Sequence, residues 1–268
     1  MDLGIAAWSL HREVLEDGTT SLLDFPAICA DKYGVRVIEL VSRFFESTSP
    51  EYLAEVRQAI DRADARLVAI AVQDGDLAES DEAVRNLHVE ALKQWLHVAK
   101  SLGAEAIRID AGRSRRPATP EFIGRVLDGY RELVAEAEHT GVRLLLENHG
   151  GASGHPDTLR QYLDGIDSEW FRTCPDFGNF TPGTTYAGLE LMLPRAHCVH
   201  AKLYTIEPGA PQVLGQGPER HEFDLDRCMQ IVNSAGFDGP LCLEWEGPEP
   251  AEREAIGPAL YLLRTYLD

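Results

Sequence analysis

The chain has 268 residues, of which 44% are hydrophobic and 26% are charged, and its formal net charge is −19 at pH 7. A chain of this length can bury a large core, and one α/β barrel fits it as well as two domains do. The acidic composition disfavours a nucleic-acid binder, whose affinity depends on neutralising phosphates, and it equally disfavours a protein of anionic membrane surfaces.

Cysteine usage and the N-terminal sequence predict a cytoplasmic protein. None of the five cysteines forms a Cys-x-x-Cys pair, and Cys198 and Cys242 lie inside apolar runs. Such residues are expected to be buried thiols in a reducing compartment. The N-terminus, MDLGIAAWSLHRE, lacks the basic region and the apolar run of a signal peptide, and no stretch reaches transmembrane length.

Apolar runs typical of strands alternate with segments of helical period along the whole chain. Strands are predicted at residues 3–8, 35–41, 67–72, 106–110, 144–149, 171–177, 198–204 and 241–245. Ser49 before Pro50, Ser80 or Asp81, and Thr119 before Pro120 predict helix starts.

The helix that follows residue 81 illustrates the predicted packing, and the region before the last strand illustrates a predicted loop. The apolar face of this helix is predicted to hold Val84, Leu87, Ala91, Trp95, Val98 and Leu102, and Gly103 ends the helix. Residues 207–222 are predicted to form a polar loop.

About eight strand–helix units in this length predict a single (β/α)8 TIM barrel spanning residues 1–268. The alternative is a doubly wound open sheet. It would place a glycine-rich phosphate loop after the first strand, and residues 8–12 contain no glycine.

The stretch RLLLENHGG, from Arg143 to Gly151, ends an apolar strand on a carboxylate, an amide and an imidazole. Because side chains alternate along a strand, Glu147 and His149 are predicted to share one face. A buried carboxylate next to an imidazole needs a metal, a proton or a cation as partner.

Three later strands also end in side chains that can bind a metal. The sequences are CPDFGNF with Asp176, VHAKLY with His200, and CLEWEG with Glu244. Together with Glu147, these groups would repel one another at a barrel mouth unless a cation lay between them. Three carboxylates and one imidazole favour Mn²⁺ or Mg²⁺, with Zn²⁺ possible. The alternative is four separate ion pairs.

The motifs LLLENHGG, CPDFGNF, VHAKLY and CLEWEG, in this order, resemble the xylose isomerase-like TIM barrel superfamily, in its branch of sugar phosphate isomerases and epimerases. The resemblance implies that Glu147, Asp176, His200 and Glu244 hold one divalent metal ion. It also implies that Glu147 and Glu244 are the catalytic acid/base pair, which transfers a proton by way of an enediolate. The implied substrate is a small-molecule sugar or sugar phosphate.

Other polar residues near the strand ends are candidates for substrate binding. His149 can bind substrate or act as a second base, and Lys202 can meet an oxyanion or pair with Asp176. Arg108 can bind a phosphate or carboxylate, or neutralise Asp110 and Glu39. By the same resemblance, Asn179 lies where some epimerases of this superfamily carry a substrate-binding histidine. Trp8 can form one side of the sugar pocket.

Three other functions remain open at this point. Dehydroshikimate dehydratases of the same superfamily also carry Glu-x-His at this strand, which keeps a metal-dependent lyase as the alternative. A nuclease of the endonuclease IV type would need more metal-binding histidines and a basic groove, so nucleic acid is not expected as a partner. A non-catalytic sugar-binding barrel is the third. A homodimer or homotetramer is compatible with the exposed helix faces.

Overall fold

The computed structural model describes residues 1–112, 118–215 and 220–267, and its main sheet contains eight parallel strands. The strands of this sheet are β1 (Asp2–Ala6), β2 (Val37–Val41), β3 (Arg66–Val72), β4 (Ala106–Asp110), β5 (Arg143–Glu147), β6 (Phe171–Cys174), β7 (Val199–Leu203) and β10 (Pro240–Trp245). A separate antiparallel hairpin consists of β8 (Gln212–Leu214) and β9 (His221–Phe223).

Helices cover the outside of this sheet. They are α1 (His11–Leu15), α2 (Phe25–Ala27), α3 (Pro50–Arg62), α4 (Glu82–Leu102), α5 (Pro120–Thr140), α6 (Pro156–Gly165), α7 (Thr185–Met192), α8 (Leu225–Ser234) and α9 (Glu252–Arg264). Among the described residues, none of these helices is long and apolar enough to cross a membrane.

The strand order is β6-β5-β4-β3-β2-β1-β10-β7. The two end strands meet through parallel bridges between Thr173 and Ala196 and between Asp176 and His200. His200 N donates to Pro175 O at 2.9 Å across this seam. The sheet therefore closes on itself as a (β/α)8 barrel, which confirms the predicted fold.

Side-chain alternation along the strands separates two parts of the core. A small cluster contains Val68, Ala69, Ala106, Leu145, Cys174 and Cys198. Four members of this cluster lie two positions before a polar residue of the strand ends, so they share its face of the sheet. The pairs are Ala106 and Arg108, Leu145 and Glu147, Cys174 and Asp176, and Cys198 and His200. The polar groups at the strand ends thus lie on a floor of small, tightly packed apolar side chains.

The predicted helix starts are confirmed. The side chains of Ser49, Asp81 and Thr119 accept hydrogen bonds from backbone N–H groups in the first turns of α3, α4 and α5. Gly103 and Gly141 follow α4 and α5 in the left-handed conformation, with φ of 69° and 77°. Glycine adopts this conformation without the cost of a Cβ.

Two predictions about the covering layer need correction. Val98 and Leu102 of α4 are buried as predicted, but the rest of the buried face is made by Val89, Leu92, Leu96 and Ala99, whereas Leu87 is 70% exposed and Val84 is 39% exposed. The helix carries two apolar stripes, and periodicity does not say which one meets the sheet. The predicted polar loop contains the β8–β9 hairpin, since its short strands show too little alternation to be recognised.

At the opposite end of the barrel, ion pairs join the start of β3 to the segments that precede β4 and β7. Arg66 Nη2 donates to Glu105 Oε2 at 3.1 Å, and His197 Nε2 lies 3.2 Å from the same oxygen. Partial burial opposes ionisation of Glu105, but hydrogen bonds from His197 and Arg66 outweigh it and lower the pKa to about 2.

Replacing Glu105 with glutamine is expected to cost about 1 kcal/mol of stability at pH 7, a figure reduced because the group is partly exposed and screened. The folded pKa is depressed, so the stabilisation is present above the unfolded pKa of roughly 4.3 and is lost as pH falls towards 2. Urea denaturation at pH 7 and at pH 3 measures the difference. A loss that stays equal at both pH values would contradict this account.

Candidate metal centre

Four side chains from successive positions around the barrel converge at the carboxyl ends of its strands. Glu147 ends β5, Asp176 follows β6 by two residues, His200 lies in β7 and Glu244 lies in β10. One ligand atom from each lies within 4.8 Å of the others, and all four residues are buried. The structure therefore brings the four predicted ligands together at one point. Four separate ion pairs, the alternative considered above, would not need to meet in this way.

His200 is central to this cluster. Its Nδ1 lies 3.1 Å from Glu147 Oε1, 2.9 Å from Glu244 Oε2 and 3.6 Å from Asp176 Oδ2. Its side chain is fully buried. One nitrogen and three carboxylate oxygens around a common point form the donor set of a divalent metal site.

Negative charge exceeds fixed positive charge in this region. Among the described residues, six carboxylates lie at hydrogen-bonding or ion-pairing distance from the central cations or from His200: Glu39, Asp110, Glu147, Asp176, Glu244 and Glu246. The permanent cations among them are Arg108 and Lys202. Buried charge without a partner costs several kcal/mol per ion, so the cluster favours a further positive charge, which a bound metal ion or a proton on His200 can supply.

The fit of a metal ion can be tested on buried acceptor atoms that form no hydrogen bond. Asp176 Oδ2 and Glu147 Oε2 accept none among the described residues, although Lys202 Nζ lies 3.5 Å from the first and Arg108 Nη1 lies 3.1 Å from the second. The other oxygen of Asp176 accepts from Gly178 N at 2.6 Å. Buried acceptors of this kind are rare and need an explanation. Asp176 Oδ2, which belongs to the four-residue cluster, would be satisfied by a bound cation, so the residues present fit a divalent ion.

Glu147 and Glu244 each form an ion pair with a different basic side chain. Arg108 Nη1 lies 3.1 Å from Glu147 Oε2, and Lys202 Nζ lies 3.1 Å from Glu244 Oε1. Burial opposes ionisation of both glutamates, but these cations dominate. The pKa of Glu147 falls to about 2, and the pKa of Glu244 lies well below its usual value. Both glutamates are therefore held as carboxylates.

Asp176 has the opposite electrostatic setting. Burial raises its pKa, and the nearby carboxylates of Glu244 and Glu147 raise it further, although Lys202 and His200 act against this. An ionised Asp176 is thus costly without another cation. This carboxylate gains most from a bound metal ion.

The backbone at Asp176 is held by Asn148, for which the sequence pattern predicts no role. Asn148 Nδ2 donates to Asp176 O at 2.9 Å, and Asp176 N donates to Asn148 Oδ1 at 2.8 Å. Asn148 is fully buried. This reciprocal pair links the ends of β5 and β6 and fixes the direction in which the Asp176 carboxylate points.

Replacing Asn148 with aspartate is expected to destabilise the protein by about 2–3 kcal/mol. The variant loses the Nδ2–H donor, and a buried carboxylate oxygen then faces the Asp176 carbonyl oxygen without a proton between them. Urea denaturation measures the loss. Asn233→Asp is the matched control, because Asn233 Nδ2 donates to Tyr266 O in an exposed position and its replacement should cost under about 0.5 kcal/mol. Equal losses in the two variants would contradict the role of the buried pair.

Lys202, Asn179 and Trp8 border the cluster on one side. Lys202 Nζ donates to Asn179 Oδ1 at 3.1 Å and lies 3.5 Å from Asp176 Oδ2, so its predicted pairing with Asp176 is seen. Asn179 Nδ2 approaches Glu147 Oε1 at 3.4 Å. Trp8 Nε1 donates to Glu246 Oε1 at 2.7 Å. These contacts place Lys202 and Asn179 beside the ligand cluster and Trp8 next to Glu246.

Arg108 and His149 lie on the other side of the cluster. Strand β5 ends at Glu147, so His149 lies two residues beyond the strand, but a ring nitrogen of His149 is still within 4.8 Å of carboxylate oxygens of Glu147 and Asp110. Its Nδ1 lies 3.5 Å from Asp110 Oδ1, and its side chain is 40% exposed. Arg108 Nη1 lies 2.9 Å from Asp110 Oδ1, so the predicted neutralisation of Asp110 is seen.

A cavity of about 960 Å³ opens above this cluster. Its lining includes Trp8, Arg43, Asp110, His149 and Asn179. A smaller space of about 300 Å³ reaches inward, and Arg108, Lys202 and Glu244 border it. The cluster is therefore accessible to a small polar molecule from the barrel mouth.

Glu39 is a buried member of the site that the sequence showed only as a carboxylate inside the apolar strand β2. Its Oε2 lies 3.0 Å from His200 Nε2, and its side chain is 1% exposed. A charged residue in an otherwise apolar five-residue strand was the available signal. Nothing in the sequence identified its partner, which lies 161 residues away.

The described residues define a (β/α)8 barrel with a buried cluster of carboxylates and one imidazole at the carboxyl ends of its strands. The profile of the xylose isomerase-like TIM barrel family matches residues 29–266, and the chain belongs to this family.

Curated relatives of this chain are epimerases of a sugar phosphate. L-ribulose-5-phosphate 3-epimerase UlaE of Escherichia coli (strain K12) is 26% identical over 174 residues, which cover 63% of this chain and 59% of the relative. The protein of the same name from Salmonella heidelberg (strain SL476) is 27% identical over 186 residues, which cover 67% and 63%. The chain thus matches less than two thirds of these relatives' own length.

Solved structures share the fold over the whole chain. A D-tagatose 3-epimerase-like protein has a TM-score of 0.72 at 20% identity, covering 100% of this chain and 97% of that one. The IOLI protein with a binding zinc atom has a TM-score of 0.78 at 18% identity, with coverages of 100% and 98%. An L-ribulose 3-epimerase has a TM-score of 0.77 at 16% identity, with coverages of 100% and 95%. At these identities the likeness shows the fold.

Proposed function

We propose that the protein is a divalent-metal-dependent isomerase or epimerase of a sugar or sugar phosphate. The observation that carries this proposal is the meeting of four buried ligand atoms within 4.8 Å, below an open cavity at the barrel mouth. The relatives, which are epimerases of L-ribulose 5-phosphate, of the D-tagatose type and of L-ribulose, support the substrate class.

Glu147, Asp176, His200 and Glu244 would hold the ion. Their donor set favours Mn²⁺ or Mg²⁺, while the zinc atom bound by the structurally similar IOLI protein keeps Zn²⁺ among the ions to be tested. A divalent ion bound there supplies positive charge that stabilises the negative charge of an enediolate.

Glu147 and Glu244 are the proposed acid/base pair. They extend from β5 and β10, which are separated by β6 and β7 in the closed sheet, so they reach a bound substrate from different walls of the barrel. One carboxylate takes the proton beside the carbonyl, and the other gains a proton from solvent in the open cavity and gives it to the substrate. Return to the same carbon on the opposite face gives an epimer, and return to the neighbouring carbon gives an isomer.

The surrounding polar groups are proposed to bind the sugar. Asn179 and Lys202 offer an amide and an ammonium group next to Glu147 and Glu244. His149 lines the outer cavity and Trp8 forms part of its wall. Arg108 is held between the carboxylates of Asp110 and Glu147. It would therefore act on the substrate through its positive charge, at the edge of the smaller cavity.

Proton exchange in heavy water tests this proposal. Protein stripped of metal and reloaded with Mn²⁺, Mg²⁺ or Zn²⁺ is incubated in D₂O with ketopentoses and ketohexoses, free and phosphorylated, and the products are followed by NMR and mass spectrometry. Epimerisation or isomerisation is expected to place deuterium on the carbon that changes, only in metal-loaded samples.

Other outcomes of the same experiment decide between functions. Loss of a water molecule from the product would favour the lyase of the dehydroshikimate dehydratase type. Tight binding of a sugar with no deuterium exchange in any metal form would favour a non-catalytic sugar-binding barrel. Either result would overturn the proposed activity.

A further inference from the structure

Glu39 and His200 form a buried pair across the barrel interior. Strand β2, which carries Glu39, is separated in the sheet from β7, which carries His200, by β1 and β10. Glu39 Oε2 nevertheless lies 3.0 Å from His200 Nε2. The two side chains are 1% and 0% exposed, so water does not compete for this contact.

The pair determines which nitrogen of His200 faces the other carboxylates. A neutral imidazole has one N–H donor and one lone pair, and an ionised carboxylate only accepts hydrogen bonds. Nδ1 also faces carboxylates, so Glu39 selects the tautomer when a cation lies on the Nδ1 side: the single proton of the neutral ring is then on Nε2 and is donated to Glu39. The lone pair then lies on Nδ1, which is the nitrogen within 3.6 Å of Glu147, Asp176 and Glu244.

The backbone near Glu39 departs from regular pairing. Ile38 is opposite Leu67 and Glu39 is opposite Ala69, so the register between β2 and β3 shifts by one residue at this point. The extra residue on β3 is Val68, which is fully buried. Such irregularities re-aim side chains and occur often beside functional sites. Here the register shift lies at Glu39 itself, the residue that contacts His200.

We propose that Glu39 is a positioning residue, which fixes the His200 ring and its tautomer so that Nδ1 is presented to the metal ion. The proposal rests on the metal site described above. Because Glu39 contacts the histidine through the nitrogen opposite the ion, it acts through His200 and is not itself a ligand. Carboxylates in this relation to a metal-binding histidine orient the ring and raise its basicity.

A competing arrangement would make Glu39 a ligand. Its carboxylate also lies within 4.8 Å of ligand atoms of Cys174 and Cys198. That trio lies in the packed floor of the barrel, where the two cysteines belong to the small apolar core cluster. The direct contact with His200 Nε2 favours the positioning role, and the stoichiometry of bound metal distinguishes the two arrangements.

The test measures metal affinity and stoichiometry in the 268-residue protein. Wild type and Glu39→Gln are stripped of metal and titrated with Mn²⁺ by isothermal calorimetry. Glutamine keeps the volume, but its amide can donate to Nε2 and so stabilise the wrong tautomer. The Kd of the variant is expected to rise about 10- to 100-fold, with one ion bound in both proteins.

Glu252→Gln is the matched control. Glu252 Oε1 lies 3.0 Å from His11 Nδ1, and the Glu252 side chain is only 2% exposed. This replacement removes the same charge from a Glu–His pair outside the ligand cluster, in which His11 is 20% exposed and Glu252 also lies 3.3 Å from Arg12 Nε. Its Kd for Mn²⁺ is expected to stay within about threefold of wild type, well below the change expected for a residue that orients a ligand.

Three results would overturn the positioning role of Glu39. One is an unchanged Kd in Glu39→Gln, and another is an equal loss in the control. The third is the loss of one bound ion with unchanged affinity for another, which would assign Glu39 to the Cys174–Cys198 cluster. If wild type binds no Mn²⁺, Mg²⁺ or Zn²⁺, the proposed metal site fails instead, so the two failures are distinguishable.

A measurement on wild type does not depend on whether the variant folds. In the Zn²⁺-loaded protein, long-range ¹H–¹⁵N correlation spectra report which nitrogen of His200 carries the proton. A proton on Nε2, with Nδ1 bound to the metal, is expected. A proton on Nδ1 would overturn the assignment.

Discussion

Replacing Glu147 with glutamine is expected to lower kcat by at least about a thousandfold, because the variant loses a base that accepts the substrate proton. The replacement keeps the side-chain volume but also removes the ion pair with Arg108, so metal binding will weaken as well. Activity must therefore be measured at saturating Mn²⁺, with the bound metal quantified. Glu244→Gln is expected to show a loss of similar size, since Glu244 supplies the second carboxylate.

Isotope exchange separates the loss of a base from general damage to the site. An epimerase with two bases loses turnover when either base is removed, but the remaining base can still exchange the proton of the epimer that it faces. Glu147→Gln and Glu244→Gln are thus expected to exchange deuterium into opposite epimers without interconverting them. Wild-type turnover in either variant would refute the acid/base assignment, and loss of exchange in both epimers would assign the glutamates to metal binding alone.

The barrel was predictable from sequence because its signal is repeated. Eight apolar runs alternate with helical segments, and several helix starts carry a serine, threonine or aspartate cap before the first turn. The candidate ligands were also visible, since Asp176, His200 and Glu244 each lie in or next to an apolar run. Parallel strands of a barrel bring their carboxyl ends to one rim, so the convergence of these groups follows from the fold.

Other features depend on contacts that a local pattern does not contain. Glu39 was visible only as a carboxylate in an apolar strand, and its partner lies 161 residues further along. The pairing of Asn148 with Asp176 depends on the relative height of β5 and β6. Two apolar stripes of α4 satisfy the same helical period, so the rotation of the helix about its axis decides which stripe faces the sheet.

The charges of the site connect its proposed function to its stability. Burial and the neighbouring carboxylates raise the pKa of Asp176, so its ionised form opposes folding while no metal is bound. Arg108 and Lys202 offset part of the negative charge, and a divalent ion would offset more. A group that binds metal well is therefore costly in the metal-free protein, as expected of a functional site that is not optimised for stability.

Binding of Mn²⁺ is accordingly expected to stabilise the folded protein. At a free ion concentration of 100 times Kd, the gain is about 2.7 kcal/mol, which corresponds to a rise in Tm of roughly 5–10 °C for a chain of this size. Removal of the ion with EDTA should reverse the shift and abolish activity, and adding Mn²⁺ back should restore both. Differential scanning calorimetry measures the shift, and metal-loaded Glu252→Gln should respond as wild type does.

Asp176→Asn provides the decisive comparison for this prediction. Asparagine retains an oxygen that can accept from Gly178 N, as Asp176 Oδ1 does, but it removes a buried charge that faces two other carboxylates. The metal-free variant is therefore expected to be at least as stable as metal-free wild type, yet to lose most of the rise in Tm with Mn²⁺. If the metal-free variant is instead much less stable, the charge of Asp176 supports the fold without a metal. If it keeps the full response to Mn²⁺, the ion binds elsewhere.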